Sequence, residues 1–317
     1  MNTRADLADF IRIPDNPPPD GESFEVRAGD GARLRAALFA AKNARGGVVL
    51  LGGRSEFIEK YFEVIGDLVA RRLSVATFDW RGQGLSDRPL SISELGHVAD
   101  FGAFRADLRL FTEEVAKQRV SGPLILLTHS MGGTPALGLL ADGYDAFAAA
   151  TLVSPMTRLF PGSLKRAAAR MMAFAACAAG ASRRPIIGVK EHSLEFEGNV
   201  LTSDPRRHAR FRDLQVAAPN AIIREPTYGW LKAAEDAMAD LHRPGRFSEL
   251  KTPIRIISAE NDYLVDSRDH VVIAAQSPLI ERVVIAGALH EILMEKDAIR
   301  AAFWKTFDDF VEPFLAA

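Results

Sequence analysis

The stretch Pro123-Leu124-Ile125-Leu126-Leu127-Thr128-His129-Ser130-Met131-Gly132-Gly133 decides how the rest of the chain is read. An apolar run of the kind expected for a strand buried on both faces stops at a serine set among small residues. Thr134-Pro135-Ala136-Leu137-Gly138-Leu139-Leu140 then reads as a helix. Pro135 falls in its first turn, where a missing N–H does no harm. Strand, sharp turn and helix push the Ser130 hydroxyl to an exposed apex. Gly132 and Gly133 let the helix lie close to the strand. The Met131 N–H sits at a helix start, where it would stabilise a developing oxyanion. The pattern departs from Gly-x-Ser-x-Gly at its first position, which is Thr128. Serine between small residues is common in ordinary loops, so this reading depends on partners elsewhere.

Bulk properties narrow the class. The 317 residues carry a formal net charge of -2, so no nucleic-acid footprint is expected. At 48% hydrophobic and 25% charged residues, a large core needs no disulfide staples. The single cysteine, Cys177, excludes an internal disulfide and a cysteine-based zinc site. The first residues lack an apolar signal core, and no stretch is long and apolar enough to span a bilayer. A cytoplasmic location is therefore expected, with residence at the inner membrane face as its variant.

Residues 1–22 read as a Pro-rich arm, extended or disordered. Phe24 to Arg27 and Arg33 to Leu38 alternate around Gly29-Asp30-Gly31, as a hairpin with one wet face does. Val48-Val49-Leu50-Leu51, Ser74 to Asp79 and Ala149 to Val153 are buried strands separated by helical patterns. This alternation predicts a parallel, doubly wound α/β sheet. It stops after Ser154-Pro155 and resumes at Pro253-Ile254-Arg255-Ile256-Ile257-Ser258, then at Glu281 to Ile285. The expected organisation is a core of residues 23–155 and 249–317, with residues 156–248 inserted as a helical cap.

A serine hydroxyl needs a base, and the base needs an orienting group. Asp262, just past a late strand, is the candidate acid. His290, in the loop past the last strand, is the candidate base. Serine, acid and histidine then occur in the chain order of α/β-hydrolases.

With these residues in view, the chain resembles the monoacylglycerol lipase and bacterial lysophospholipase branch of the α/β-hydrolases. The similar segments are Gly53-Arg54-Ser55-Glu56-Phe57-Ile58-Glu59-Lys60-Tyr61, Asp79-Trp80-Arg81-Gly82-Gln83-Gly84-Leu85-Ser86 and His290-Glu291-Ile292-Leu293-Met294-Glu295-Lys296-Asp297. Within the cap they are Asn199-Val200-Leu201-Thr202-Ser203-Asp204 and Pro226-Thr227-Tyr228-Gly229-Trp230. The resemblance implies an α/β-hydrolase fold and a serine hydrolase of carboxylic esters, with single-chain lipids (a lysophospholipid or a monoacylglycerol) as the expected substrates. It implies no metal or organic cofactor. It also implies an oxyanion hole of two backbone N–H groups, one from Met131 and one from Arg54 or Gly53. Gly52 stands where such relatives carry histidine, and Ala259 replaces a glycine before the acid.

Other readings stay open at this point. The same fold serves small-molecule esterases, lactonases, perhydrolases and acyltransferases, and a homologue can bind a ligand without catalysis. His129 reads as structural, Asp79 as an ion-pair or turn residue beside Arg81, and Glu291 as a brace. Glu260 is the rival acid. His97, His192, His208, His242 and His270 lack metal-ligand spacing and read as surface or packing residues. Tyr228 and Trp230 line the pocket or form the cap's own core. The Ala- and Met-rich helix from Leu164 to Ala176 packs on the cap or contacts acyl chains and a membrane surface. Arg206, Arg207, Arg210 and Arg212 form a solvated face or hold a lipid phosphate.

Overall fold

The computed structural model describes residues 10–159, 163–187 and 195–315. His192 lies outside them, as does the arm before Phe10. One eight-stranded sheet runs through the molecule in the order β1-β2-β4-β3-β5-β6-β7-β8. Its strands are β1 (Glu22–Arg27), β2 (Arg33–Phe39), β3 (Gly46–Leu51), β4 (Leu73–Phe78), β5 (Leu124–His129), β6 (Ala149–Val153), β7 (Ile254–Ala259) and β8 (Ile280–Ile285). β1 and β2 pair antiparallel, as do β2 and β4; β4, β3, β5, β6, β7 and β8 are parallel. The parallel strands therefore all end at one edge, where an open α/β sheet presents its ligand site.

Every residue of β3, β4, β5 and β6 is buried, because helices cover both faces. α1 (Phe62–Ala70) and α9 (Asp297–Val311) pack on one side through Val64, Ile65, Phe303 and Phe307. On the other side lie α2 (Gly102–Phe111) and its short continuation α3 (Lys117–Arg119), α4 (Gly133–Ala141) and α8 (Asp269–Ala274). There Phe104, Leu108, Phe111, Leu137 and Ile273 join a second core. Between β6 and β7 run α5 (Ser163–Ala178), α6 (Pro205–Ala217) and α7 (Tyr228–Leu241). Asp204 caps α6 by accepting from the Arg206 and Arg207 N–H groups, with Pro205 next. Thr227 caps α7 through the Trp230 N–H. Among the described residues this insertion contains no strand, and no helix is long and apolar enough to cross a membrane.

Two expectations change. β2 is not half wet: only Arg33 is partly exposed, and Arg35 is buried. The alternation misleads because Arg35 neutralises two buried carboxylates, at 3.0 Å from Glu59 and 3.3 Å from Asp79. Asp79 thus pairs with Arg35, while Arg81 is held by Asp107 and Asp30. The arm, expected to be extended or disordered, is docked on the core from Phe10 on. Phe10 packs on Phe39 and Phe62 with ring centroids 5.4 and 5.3 Å away, and Asn16 donates to the Glu59 carbonyl.

Candidate active site

β5 delivers the serine. Its last residue, His129, has extended backbone, whereas Ser130 is driven to φ +50° before the chain turns into Met131-Gly132 and α4. A non-glycine residue at positive φ costs of order 1–3 kcal/mol and persists where the surroundings over-determine it. The surroundings do so here. A Cβ on Gly132 would lie 2.7 Å from the Gly52 carbonyl oxygen, and one on Gly133 would lie 2.5 Å from Pro155 Cβ. The turn is thus clamped between the loops after β3 and β6. Gly132→Ala is expected to push the Gly52 loop outward and lower kcat about 10²- to 10³-fold, the scale of losing one oxyanion donor; ester turnover by the folded variant checks this.

β7 and β8 deliver the other two groups. His290 Nδ1 lies 2.7 Å from Asp262 Oδ2, and its Nε2 lies 2.9 Å from Ser130 Oγ. With Nδ1–H donating to the carboxylate, the neutral imidazole presents Nε2 as acceptor for the Ser130 hydroxyl. Asp262 Oδ1 is engaged separately, accepting from the N–H groups of Leu264 and Val265 at 2.9 and 3.0 Å. Burial alone would raise the Asp262 pKa. The His290 ring and these two N–H groups more than offset that and hold it below the ordinary value of 3.8. Glu260, the rival acid, instead accepts from the Gly287 N–H.

The loop after β3 passes directly over the serine: a Cβ on Gly53 would meet Ser130 Cβ at 3.0 Å. Of the two donors expected from this loop, the Gly53 N–H is already given to Glu56 Oε2. The Arg54 N–H has no hydrogen-bond partner among the described residues. The Met131 N–H belongs to the first turn of a helix, where N–H groups have no intrahelical acceptor.

A second layer, not read from the sequence, fixes this loop. Gln83 accepts from the Ser55 N–H at 2.6 Å, and the Trp80 indole donates to the Gly52 carbonyl at 2.9 Å. Glu56 accepts from Lys60 at 2.7 Å and from the Tyr61 hydroxyl at 2.5 Å; Lys60 also reaches Glu291 at 2.5 Å. His129 lies between Glu56 and the His290 carbonyl, both acceptors. Burial alone would favour the neutral ring, but the Glu56 carboxylate outweighs it and raises the His129 pKa. These charges form a closed set spanning three loops. Nothing in a single sequence marks them as mutual partners.

Three of the other described histidines are accounted for by packing. His270 is held between Ser258 Oγ and the Pro155 carbonyl, and burial lowers its pKa to about 4. His242 pairs with Asp269, and His97 lies 2.8 Å from Thr227 Oγ1. His208 departs from the packing reading, since it lines the cavity.

That cavity measures about 380 Å³ and has Ser130, Met131 and His290 in its wall. Its apolar lining includes Met156, Leu159, Met172, Ile186, Ile223 and Leu231. Trp230 is part of the lining. Tyr228 is not: it is buried, and its hydroxyl accepts from the Ile187 N–H. Two arginines of the basic run on α6 are tied up rather than free for phosphate. Arg207 is buried among Glu63, Asp204 and Asp297, and Arg210 also binds Glu63.

Comparison with known proteins agrees with this architecture. Residues 42–297 match the family model described as serine aminopeptidase, S33. Lysophospholipase L2 of Escherichia coli is 30% identical over 316 residues, covering 97% of this chain and 90% of that protein. A probable lysophospholipase L2 of Haemophilus influenzae is 28% identical, with 83% of each chain covered. Among solved structures, a soluble variant of monoglyceride lipase from Saccharomyces cerevisiae superposes with a TM-score of 0.75 at 19% identity, covering 99% of this chain and 100% of that one. A thermostable carboxyl esterase from Bacillus coagulans gives 0.74 at 16% identity, covering 93% and 98%. At such identities the structural likeness speaks for the fold alone.

Proposed function

The chain belongs to the serine aminopeptidase (S33) family of α/β-hydrolases, and from that premise we propose that Ser130, His290 and Asp262 are the catalytic triad of a lipid ester hydrolase. A relative matched over nearly its full length is a lysophospholipase L2, and a second is a probable one. The observation that carries the reading is the His290 ring, bridging Asp262 and Ser130 in the wall of an apolar cavity.

Ser130 Oγ attacks the ester carbonyl carbon as its proton passes to His290 Nε2. The carbonyl oxygen becomes an oxyanion, received by the backbone N–H groups of Met131 and Arg54. Collapse expels the alcohol, which takes the proton from His290. Water, deprotonated by the same ring, then hydrolyses the acyl-Ser130 ester. Asp262 keeps Nδ1 protonated and stabilises the imidazolium. Residues 156–248 act as a cap that shelters the acyl chain beside residues 23–155 and 249–317. The strongest support for the lipid is chemical: the ring of apolar side chains around Ser130 fits an acyl chain.

Peptide hydrolysis is the reading that the family description suggests. An aminopeptidase must hold an α-ammonium group near the nucleophile. Among the described residues the lining carboxylates are Glu56 and Glu291, which already share Lys60, so neither is spare for that task. The test is a series of 1-monoacylglycerols of increasing chain length beside aminoacyl amides. Each added methylene is expected to raise kcat/KM about two- to four-fold until the cavity is filled, as burial of about 0.8 kcal/mol per CH₂ implies. Fastest turnover of an acetyl ester, or of an aminoacyl amide, would overturn the reading.

A further inference from the structure

Among the described residues, four lysines and arginines line the cavity: Arg54, Lys60, Arg212 and Arg224. Three have carboxylate partners. Lys60 lies between Glu56 and Glu291, Arg212 is 3.0 Å from Asp213, and Arg224 is 3.5 Å from Glu94. Arg54 has no carboxylate partner among the described residues. Its Nη2 donates to the Arg224 carbonyl at 2.8 Å and its Nη1 to Ser55 Oγ at 3.2 Å. Its Nε is shielded from solvent with no partner, and its guanidinium lies over Trp230, 5.3 Å from the ring centroid. A guanidinium has five N–H donors in a fork that matches phosphate, so donors remain unspent. Burial lowers the Arg54 pKa to about 10, as holding an unmatched charge in an apolar wall must. An anionic ligand group would relieve that cost.

Arg54 is also the residue whose backbone N–H is assigned above to the oxyanion. Backbone and side chain of one residue would then contact two points of one substrate. In a single-chain glycerophospholipid only the glycerol unit separates the cleaved ester from the phosphate, a span comparable to an arginine side chain. We propose that the Arg54 guanidinium is the subsite for the substrate's phosphodiester, so that the enzyme selects a lysophospholipid over a neutral monoacylglycerol. This rests on the lipid ester reading and names the headgroup within it.

The test compares kcat/KM for 1-palmitoyl lysophosphatidylglycerol and 1-palmitoylglycerol, both in the same neutral micelles, for wild type, Arg54→Gln and Arg54→Lys. The wild type is expected to favour the phospholipid. Arg54→Gln is expected to lower the phospholipid-to-glyceride ratio roughly 10- to 100-fold, the worth of one charge-assisted hydrogen bond. Arg54→Lys, which keeps the charge without the fork, should retain part of the ratio. Damage to the backbone donor lowers both substrates alike and cancels in the ratio. An unchanged ratio in both variants overturns the subsite while leaving the hydrolase intact. A wild type that cleaves neither lipid removes the hydrolase reading, and the subsite with it.

Discussion

Ser130→Ala is expected to lower kcat for any ester about 10⁴- to 10⁶-fold, and to abolish labelling by a fluorophosphonate probe, with no loss of folding. The size follows from how the three side chains act. Without the Ser130 oxygen, the His290 ring has no hydroxyl to deprotonate, and Asp262 orients a base with no task. Loss of the nucleophile in a unit of this kind costs about as much as loss of all three members. What remains is water attack aided by the backbone donors, worth roughly 10³- to 10⁴-fold over solution. Stability should hold, because Ser130 is only partly buried and alanine takes the same positive φ at a similar cost. Single-turnover release of fatty acid, read beside circular dichroism, separates the outcomes. A Ser130→Ala protein that still turns over esters at a tenth of the wild-type rate would place the nucleophile elsewhere.

The second large effect concerns stability. Arg35→Met is expected to cost about 3–5 kcal/mol, the penalty for breaking a buried pair by removing one partner. Arg35 ties β2 to the loop after β4 and to the turn at Ile58–Tyr61, through Asp79 and Glu59. Removing it leaves two buried carboxylates facing each other. The pH dependence gives the mechanism away. Burial first, and Glu59 in addition, push the Asp79 pKa up to about 6 even with Arg35 opposing them. A carboxyl raised in the fold favours its protonated form there. Its stabilising contribution is therefore full below the unfolded value near 4 and is lost as pH rises through the folded value. Without Arg35 the folded value rises further, so the penalty should be smaller at pH 5 than at pH 8. Urea midpoints at the two pH values check this. An equal penalty at both would mean that the loss is one of packing, not of charge.

Much of this molecule is written locally. The buried runs at Val48 to Leu51, Leu124 to Leu127 and Ala149 to Val153 read as central strands, and β6 has the bounds its sequence suggests. The chain order of Ser130, Asp262 and His290 is local too, since each residue follows its own strand. Parallel pairing then brings their ends to one edge of the sheet.

Other features depend on neighbours far away in the chain. The wet face expected of β2 became a buried ion pair because Glu59 and Asp79 arrive from elsewhere. Of the basic run on α6, read as a solvated face or a phosphate site, Arg207 and Arg210 are spent on Glu63, a residue of α1. Of Gly53 and Arg54, the Gly53 N–H is engaged by the Glu56 carboxylate turning back on it. Periodicity and turn chemistry therefore determined the strands, the elbow and the candidate triad, because burial and backbone preference act over a few residues. Which charges are matched, and which one is left facing the cavity, was decided only in the folded molecule, because a charge's partner is set by distance in space.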